Sequence, residues 1–284
     1  VILSTGRTEP IEKYGEVIGE LLARGFVVLA HDWAGQGLST RFSRDTLTND
    51  LIGGCGHLIE DFRDLLDARR DELPEPWVAV AHSMGAALTT LALAKGEHRF
   101  AAAVLSAPMI EFSVRPLPFW LVRLVVSGMT SIGFAPRLAR AQTDPAELPF
   151  ETNLLTHDRR RYEHARVLYR THPEVRIGEP TWRWLRFAVD LRQRLHAPGV
   201  AERIACRLCV VAAGDDRIVS TSAIRRFVAR VPRGSFQEVP AAFHEILMET
   251  DERRAVFGPP SIASRPNWLS EPAGGHASPK VSQW

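Results

Sequence analysis

Cysteine is scarce in this chain, with three in 284 residues. A disulfide framework needs an even set at regular spacing, so none is expected. Cys206 and Cys209 make a C-x-x-C pair, but no second pair of ligands at zinc spacing lies nearby, and Cys209 continues an apolar strand pattern. Both are read as structural. Lysine supplies only three of the 35 basic residues. Arginine is the default cation, so an arginine cluster carries little meaning by itself. Net charge is nearly absent at +2, which argues against nucleic acid or another polyanion as partner. No G-x-x-x-x-G-K-[ST] loop occurs. Gly53-Gly54-Cys55-Gly56 has only the composition of a phosphate cradle and follows no convincing strand. Long apolar runs are missing too. The best, Leu117 to Phe134, is interrupted by Arg123 and bracketed by Pro116, Pro118 and Pro136. It falls short of the roughly 20 apolar residues that cross a bilayer.

What remains is an ordinary globular composition, with 45% hydrophobic and 24% charged residues, enough for one large core plus an inserted element. The periodicities predict strand 1–3, helix 10–24, strand 26–30, helix 57–70, strand 77–81, helix 84–95 and strand 101–106. After an interruption they predict strand 207–213, helix 219–230, strand 236–239 and helix 245–257. Strands alternating with helices imply a parallel sheet covered on both faces, an α/β fold. Between Pro108 and about Ile204 the alternation stops and helical patterns take over.

The densest signal is Val78-Ala79-Val80-Ala81-His82-Ser83-Met84-Gly85-Ala86-Ala87-Leu88. An apolar strand feeds a serine flanked by small residues, and a helix starts at once. That is the context of a nucleophile elbow, with Ala81 in place of the usual first glycine. A serine hydroxyl needs a base, and the base needs an orienting acid. Downstream, Gly214-Asp215-Asp216-Arg217 leaves a buried strand, and Pro240-Ala241-Ala242-Phe243-His244 leaves the next. Both loops fall at the C-terminal ends of parallel strands, where an open α/β sheet collects its functional groups. His244 is the candidate base. Asp215 and Asp216 are adjacent, and only one can face it. Asp32 precedes the serine and reads as a turn cap. Backbone N–H groups must also meet the oxyanion. Met84 follows the nucleophile, and Arg7 lies on the loop Ser4-Thr5-Gly6-Arg7-Thr8-Glu9 after the first strand, where Gly6 lets the backbone turn.

The order of these pieces resembles the α/β-hydrolase superfamily, in particular its lysophospholipase and monoacylglycerol lipase group. The resemblance is carried by Gly6-Arg7-Thr8-Glu9 with Glu12-Lys13-Tyr14, His31-Asp32-Trp33-Ala34-Gly35-Gln36-Gly37-Leu38-Ser39, Ala81-His82-Ser83-Met84-Gly85, Leu105-Ser106-Ala107-Pro108, Gly214-Asp215-Asp216-Arg217 and His244-Glu245-Ile246-Leu247-Met248-Glu249. It implies a serine hydrolase that cleaves a single-chain lipid ester, with Ser83 as nucleophile, His244 as base, Asp216 as acid, and Arg7 and Met84 as oxyanion donors. It implies no metal and no organic cofactor. It also implies a division into a hydrolase core, 1–107 and 205–257, and a helical cap, 108–204. The family carries further strands ahead of the position of Val1, so N-terminal strands are expected to be missing. Residues 258–284, rich in Pro, Ser, Gly and Ala, are read as a disordered tail.

Within the cap, Leu117 to Phe134 is expected to form an amphipathic helix that packs on the core or walls an acyl-chain pocket, and it is a candidate for peripheral membrane contact. A cytoplasmic location, with the inner membrane within reach, is the matching expectation. Arg159-Arg160-Arg161, Arg166 and Arg170 are read as a solvated face, with a phosphate headgroup as the competing partner. Ser83 excludes epoxide hydrolases and dehalogenases of this fold, which need a carboxylate at the elbow. A small-ester hydrolase, a carbon–carbon bond hydrolase and a non-catalytic binding protein on the same scaffold remain as alternatives. Labelling by a fluorophosphonate separates the last from the others.

Overall fold

A computed structural model describes residues 1–45, 47–114 and 116–257. The tail expected at 258–284 lies outside the described residues. Six strands form one sheet in the order β2-β1-β3-β4-β5-β6, namely β1 Ile2–Ser4, β2 Leu29–His31, β3 Trp77–His82, β4 Phe100–Ser106, β5 Arg207–Ala213 and β6 Gly234–Val239. Every pairing is parallel. The central strands read as continuous small and β-branched apolar runs because both faces are covered. The helices α1 Gly15–Ala23, α2 Gly54–Ala68 and α3 Ser83–Ala94 connect the first four strands. All twelve residues of α3 are buried. This is why its sequence is alanine-rich and shows no polar face: small side chains let a helix sink between sheet and neighbouring helices.

The chain between the adjacent strands β4 and β5 contributes α4 Phe119–Met129, α5 Arg159–Thr171 and α6 Trp182–Leu195 with short 3-10 turns. Asp158 and Thr181 cap the last two helices with their side chains. Phe187, Ala188, Leu191 and Leu195 of α6, inside the expected cap 108–204, belong to the main hydrophobic core with α2, α3 and the sheet. The helix expected within 117–134 forms as α4. In α4 only Val126 is buried, while Trp120 is 66% exposed and Leu124 62% exposed. Gly133, at φ 91°, breaks the helical path before Phe134.

After β5 come α7 Thr221–Val228, then β6 and α8 Asp251–Arg254. The predicted helix 245–257 is not formed as a unit. It is divided into a 3-10 turn at Ile246–Met248, the single turn of α8, and another 3-10 turn at Ala255–Phe257. The cause is Glu249, fully buried, whose carboxylate takes the backbone N–H groups of Phe243, His157 and Thr250 and the ring of His157. Folding its side chain inward to satisfy these donors pulls the chain out of helical register.

Candidate active site

Ser83 stands at φ 49°, a left-handed conformation that a non-glycine residue adopts only when its surroundings enforce it. Two constraints do so. The strand β3 ends at His82, whose Nδ1–H donates to the carbonyl of Ser106 on β4 at 3.1 Å. Two residues on, Gly85 is pressed against the preceding loop, where a Cβ would lie 2.3 Å from the carbonyl oxygen of Thr5 and 2.9 Å from that of Ser4. The tight turn holds the hydroxyl at the head of α3. Ser83 Oγ donates to His244 Nε2 at 2.9 Å, and His244 Nδ1 donates to Asp216 Oδ2 at 2.7 Å.

The structure therefore brings together Ser83, His244 and Asp216 and separates the two aspartates. Asp215 is exposed and faces Arg217 at 3.6 Å. Asp216 is enclosed, and its Oδ1 accepts the N–H groups of Ile218 at 2.8 Å and Val219 at 2.9 Å. Burial alone would raise this carboxyl. The His244 charge, its hydrogen bond and the two backbone donors outweigh burial and hold it below its ordinary value. Burial likewise opposes a charge on His244, but Asp216, then Glu245 and Glu9, raise it above the ordinary imidazole value. Such a base accepts a proton readily and keeps the resulting imidazolium stable. Asp32 accepts the N–H groups of Ile11 and Leu38, which is the turn role expected for it.

The loop Thr5–Glu9 runs across the other side of Ser83. Gly6 is needed for a different reason from the one expected: it does not adopt a left-handed conformation, but a Cβ there would meet the Glu9 carboxylate at 2.3 Å and the His82 ring at 2.8 Å. The left-handed residue of the turn is Thr8, at φ 62°. Gln36 brackets Arg7 by accepting the Thr8 N–H at 2.7 Å and donating to the Gly6 carbonyl at 2.9 Å. Among the described residues no acceptor outside its own helix or strand takes the backbone N–H of Arg7 or of Met84. The Arg7 side chain reaches the segment between β4 and β5, donating to the Gly178 carbonyl at 2.9 Å and lying over Trp184 at 4.8 Å. Burial lowers its guanidinium to about 10.

Beneath the triad lies a polar cluster to which sequence reasoning assigned no role. Glu9, Lys13, Tyr14, His82 and Glu245 are all buried. Lys13 Nζ bridges Glu9 Oε1 at 2.7 Å and Glu245 Oε1 at 2.5 Å. Glu9 Oε2 accepts the Gly6 N–H at 2.8 Å and the Tyr14 hydroxyl at 2.6 Å. The signal was in the motif strings, since Glu9, Lys13 and Tyr14 sit together in one of them and Glu245 in another. Pairing across more than two hundred positions is what only the fold reveals.

The arginines of the segment between β4 and β5 are spoken for. Arg161 is buried and joins Glu16, Asp158, Asp251 and the Glu249 carbonyl. Arg166, also buried, donates to the Pro145 carbonyl and lies over Tyr162 at 4.1 Å. Arg159 pairs with Glu151, Arg160 with Glu16 and Arg170 with Glu163. They are neither a wholly solvated face nor a vacant phosphate cradle. A groove of about 560 Å³, lined by Phe150, Asn153, Leu154, His157, Arg217 and Phe243 among others, flanks the acid and base loops but does not include Ser83. The three cysteines are free, and burial pushes the Cys55 thiol up to about 12 and that of Cys206 up to about 11. Such thiols are poor nucleophiles.

Comparison with known proteins follows the same outline. The family model described as serine aminopeptidase, S33, matches residues 1–251. Lysophospholipase L2 of Escherichia coli (strain K12) is 31% identical over 275 residues, covering 90% of this chain and 77% of that protein. A probable lysophospholipase L2 of Haemophilus influenzae is 27% identical over 266 residues, covering 89% and 79%. Among solved structures, a monoacylglycerol lipase from Paleococcus ferrophilus superposes with a TM-score of 0.69 at 20% identity, covering 94% of this chain and 92% of that one. A soluble variant of monoglyceride lipase from Saccharomyces cerevisiae, in complex with a substrate analog, gives 0.70 at 17%, covering 94% and 85%. At these identities the last two speak for the α/β-hydrolase fold.

Proposed function

The chain belongs to the serine aminopeptidase S33 family, and from its site we propose that it is a serine hydrolase releasing a fatty acid from a single-chain lipid ester. The observation that carries the reading is the unbroken hydrogen-bonded chain from the Ser83 hydroxyl through His244 to the Asp216 carboxylate, at 2.9 and 2.7 Å. In the proposed reaction the Ser83 hydroxyl attacks the ester carbonyl while His244 Nε2 takes its proton. The N–H groups of Arg7 and Met84 receive the oxyanion, and Asp216 holds the imidazole in the tautomer whose Nε2 can accept. The imidazolium then protonates the departing alcohol, leaving an acyl ester on Ser83. Water attacks that ester as His244 takes its proton. The tetrahedral intermediate collapses to free acid, and His244 returns the proton to Ser83 Oγ.

The names of the relatives favour a lipid ester over the peptide that the family name suggests. The site agrees. A peptide amino terminus calls for an uncommitted carboxylate, and the buried acids here are already bound to Lys13 or to backbone donors. For the segment between β4 and β5, residues 108–204, we propose a cap function. Its exposed apolar face, Trp120, Leu124, Val125 and Ile132, is the part proposed to meet a membrane surface. No helix among the described residues is long and apolar enough to cross one. Each buried methylene contributes about 0.8 kcal/mol, so the acyl chain can supply most of the binding energy.

The test is direct. Wild type is expected to hydrolyse p-nitrophenyl acyl esters, monoacylglycerol and lysophosphatidylethanolamine, and to be labelled by a fluorophosphonate. Ser83→Ala is expected to be folded, unlabelled and inactive. Retained turnover by that variant would refute the assignment. Vesicle binding that survives Trp120→Ser with Leu124→Ser would remove the membrane role of the cap.

A further inference from the structure

Two loops must hold register on opposite sides of Ser83 for the proposed chemistry to run. One carries the Gly6–Arg7 backbone, the other carries His244. They are far apart in sequence and come from β1 and β6, at different places in the sheet. A single buried chain of hydrogen bonds connects them. It begins at the Gly6 N–H, which donates to Glu9 Oε2 at 2.8 Å. It crosses the carboxylate to Oε1, which meets Lys13 Nζ at 2.7 Å, and continues from the same ammonium to Glu245 Oε1 at 2.5 Å. Glu245 is the neighbour of His244. Glu9 is 3% exposed, Lys13 7% and Glu245 6%. The same carboxylate touches the third component, since Glu9 Oε2 lies 3.9 Å from Nε2 of His82, the residue before the nucleophile.

We propose that the Glu9–Lys13–Glu245 bridge is a positioning device that fixes the oxyanion loop and the base loop in one register about Ser83, with Lys13 as its keystone. The inference rests on the serine-hydrolase reading above. Three features support it. Enclosing three ionisable groups is costly, and a buried ion pair contributes little net stability compared with apolar packing of the same volume. What such a cluster can supply instead is fixed geometry. The Glu9 carboxylate also substitutes for the Cβ that Gly6 lacks, filling the space a side chain would need. Finally, the two carboxylates respond in opposite directions, and Glu245 is raised above its ordinary value by burial and by Glu9 although Lys13 pulls it down. Burial would raise the Glu9 carboxyl, yet the ammonium of Lys13 and the flanking donors hold it far below its ordinary value. His82 beside it stays neutral, because burial lowers its imidazole to about 4.

Two substitutions cut the same link by different chemistry. Lys13→Met removes the ammonium and leaves two carboxylates facing each other. Glu9→Gln keeps the volume. Its amide oxygen must remain where Gly6 and Tyr14 donate, so its NH2 turns toward the Lys13 ammonium, donor against donor. Each variant is expected to lower kcat on p-nitrophenyl butyrate about a hundredfold, the cost of misplacing a catalytic group by a fraction of its radius. KM is expected to stay within about threefold, because ground-state binding does not use the oxyanion register. Inhibition by a phenylboronic acid, which mimics the tetrahedral intermediate, is expected to weaken in parallel with kcat. The double variant is expected to be no worse than the worse single one, since both break one chain.

A folded variant with kcat near wild type overturns the proposal, as does a kcat loss that leaves boronate inhibition unchanged. Failure of both variants to fold also overturns it, because the bridge would then be structural. Inactive wild type that no fluorophosphonate labels would instead sink the hydrolase reading, and this inference with it.

Discussion

Replacing Asp216 by asparagine should nearly silence the enzyme without moving an atom of its backbone. The reason lies in how Asp216 is held. Its Oδ1 accepts two backbone N–H groups, from Ile218 and Val219, and its Oδ2 accepts Nδ1–H of His244. An asparagine must keep its carbonyl oxygen toward the two backbone donors. Its NH2 group therefore faces His244 and donates to Nδ1. That makes Nδ1 an acceptor and moves the ring proton to Nε2, which then points a hydrogen at Ser83 Oγ and cannot take one. In other serine hydrolases the wrong tautomer lowers kcat by about 10⁴-fold, or about 5 kcal/mol of transition-state stabilisation at about 1.36 kcal/mol per tenfold. We expect a loss of that size on a p-nitrophenyl ester, with KM little changed and a melting temperature within a few degrees of wild type. Asp215→Asn is the internal control and should retain full activity, since that side chain is exposed beside Arg217. A kcat for Asp216→Asn within tenfold of wild type would refute the tautomer argument and the assignment of the acid.

Gly85→Ala places a methyl group 2.3 Å from the Thr5 carbonyl oxygen and 2.9 Å from that of Ser4, with the buried Trp33 indole nitrogen at 3.0 Å. We expect overpacking to cost about 1–3 kcal/mol, seen as a lower denaturant midpoint, together with reduced kcat as the Thr5–Arg7 loop is displaced. The pH dependence of kcat/KM should show an acid limb above the pH at which an exposed histidine titrates, because Asp216, Glu245 and Glu9 raise His244 and only the neutral ring can act as base. For stability the sign is opposite: the raised imidazole stabilises the fold fully below its unfolded pKa, and that stability is lost as pH rises through the folded value. Denaturant melts from pH 5 to 9 would read the second effect, and initial rates the first. Arg161→Met should cost about 2 kcal/mol in such melts, from broken charged hydrogen bonds to Glu16 and the Glu249 carbonyl. Exchanging Arg159, Arg160 or Arg170 for glutamine should leave the ratio of rates on lysophosphatidylethanolamine and monoacylglycerol unchanged, because each of these cations is paired with a protein carboxylate. A tenfold fall in that ratio would reinstate them as headgroup contacts.

Much of the fold could be read from local patterns. The elbow at Ser83 announces itself through a strand, a small-residue turn and a helix in immediate succession, and parallel order follows from strands alternating with helices. Local pattern fails where a distant partner decides. Nothing within a few residues separates Asp215 from Asp216; the difference is which one points inward once β5 meets β6. The apolar periodicity of 245–257 is real, but the buried carboxylate of Glu249 breaks the helix by recruiting donors from Phe243, His157 and Thr250. The stretch 117–134 looks like packing material by composition, yet α4 turns Trp120 and Leu124 outward, and apolarity alone does not say which surface will cover it. Lys13 sits in a motif string with no role attached until the fold brings Glu245 to it from the other end of the chain.

The chain segment that supplies α5 also supplies the carbonyls of Leu154 and Leu155, which receive the N–H groups of His244 and Glu245 at 3.5 and 2.8 Å, while Thr156 Oγ1 donates to the Met248 carbonyl at 2.7 Å. Insertion and scaffold are thus stitched together at His244 itself. Trimming the segment between β4 and β5 to a short linker is expected to lower activity, because it removes two backbone contacts that hold His244 and Glu245. Chimeras that exchange this module between homologues to alter selectivity must carry the 153–156 turn and the 243–249 segment as one inheritance.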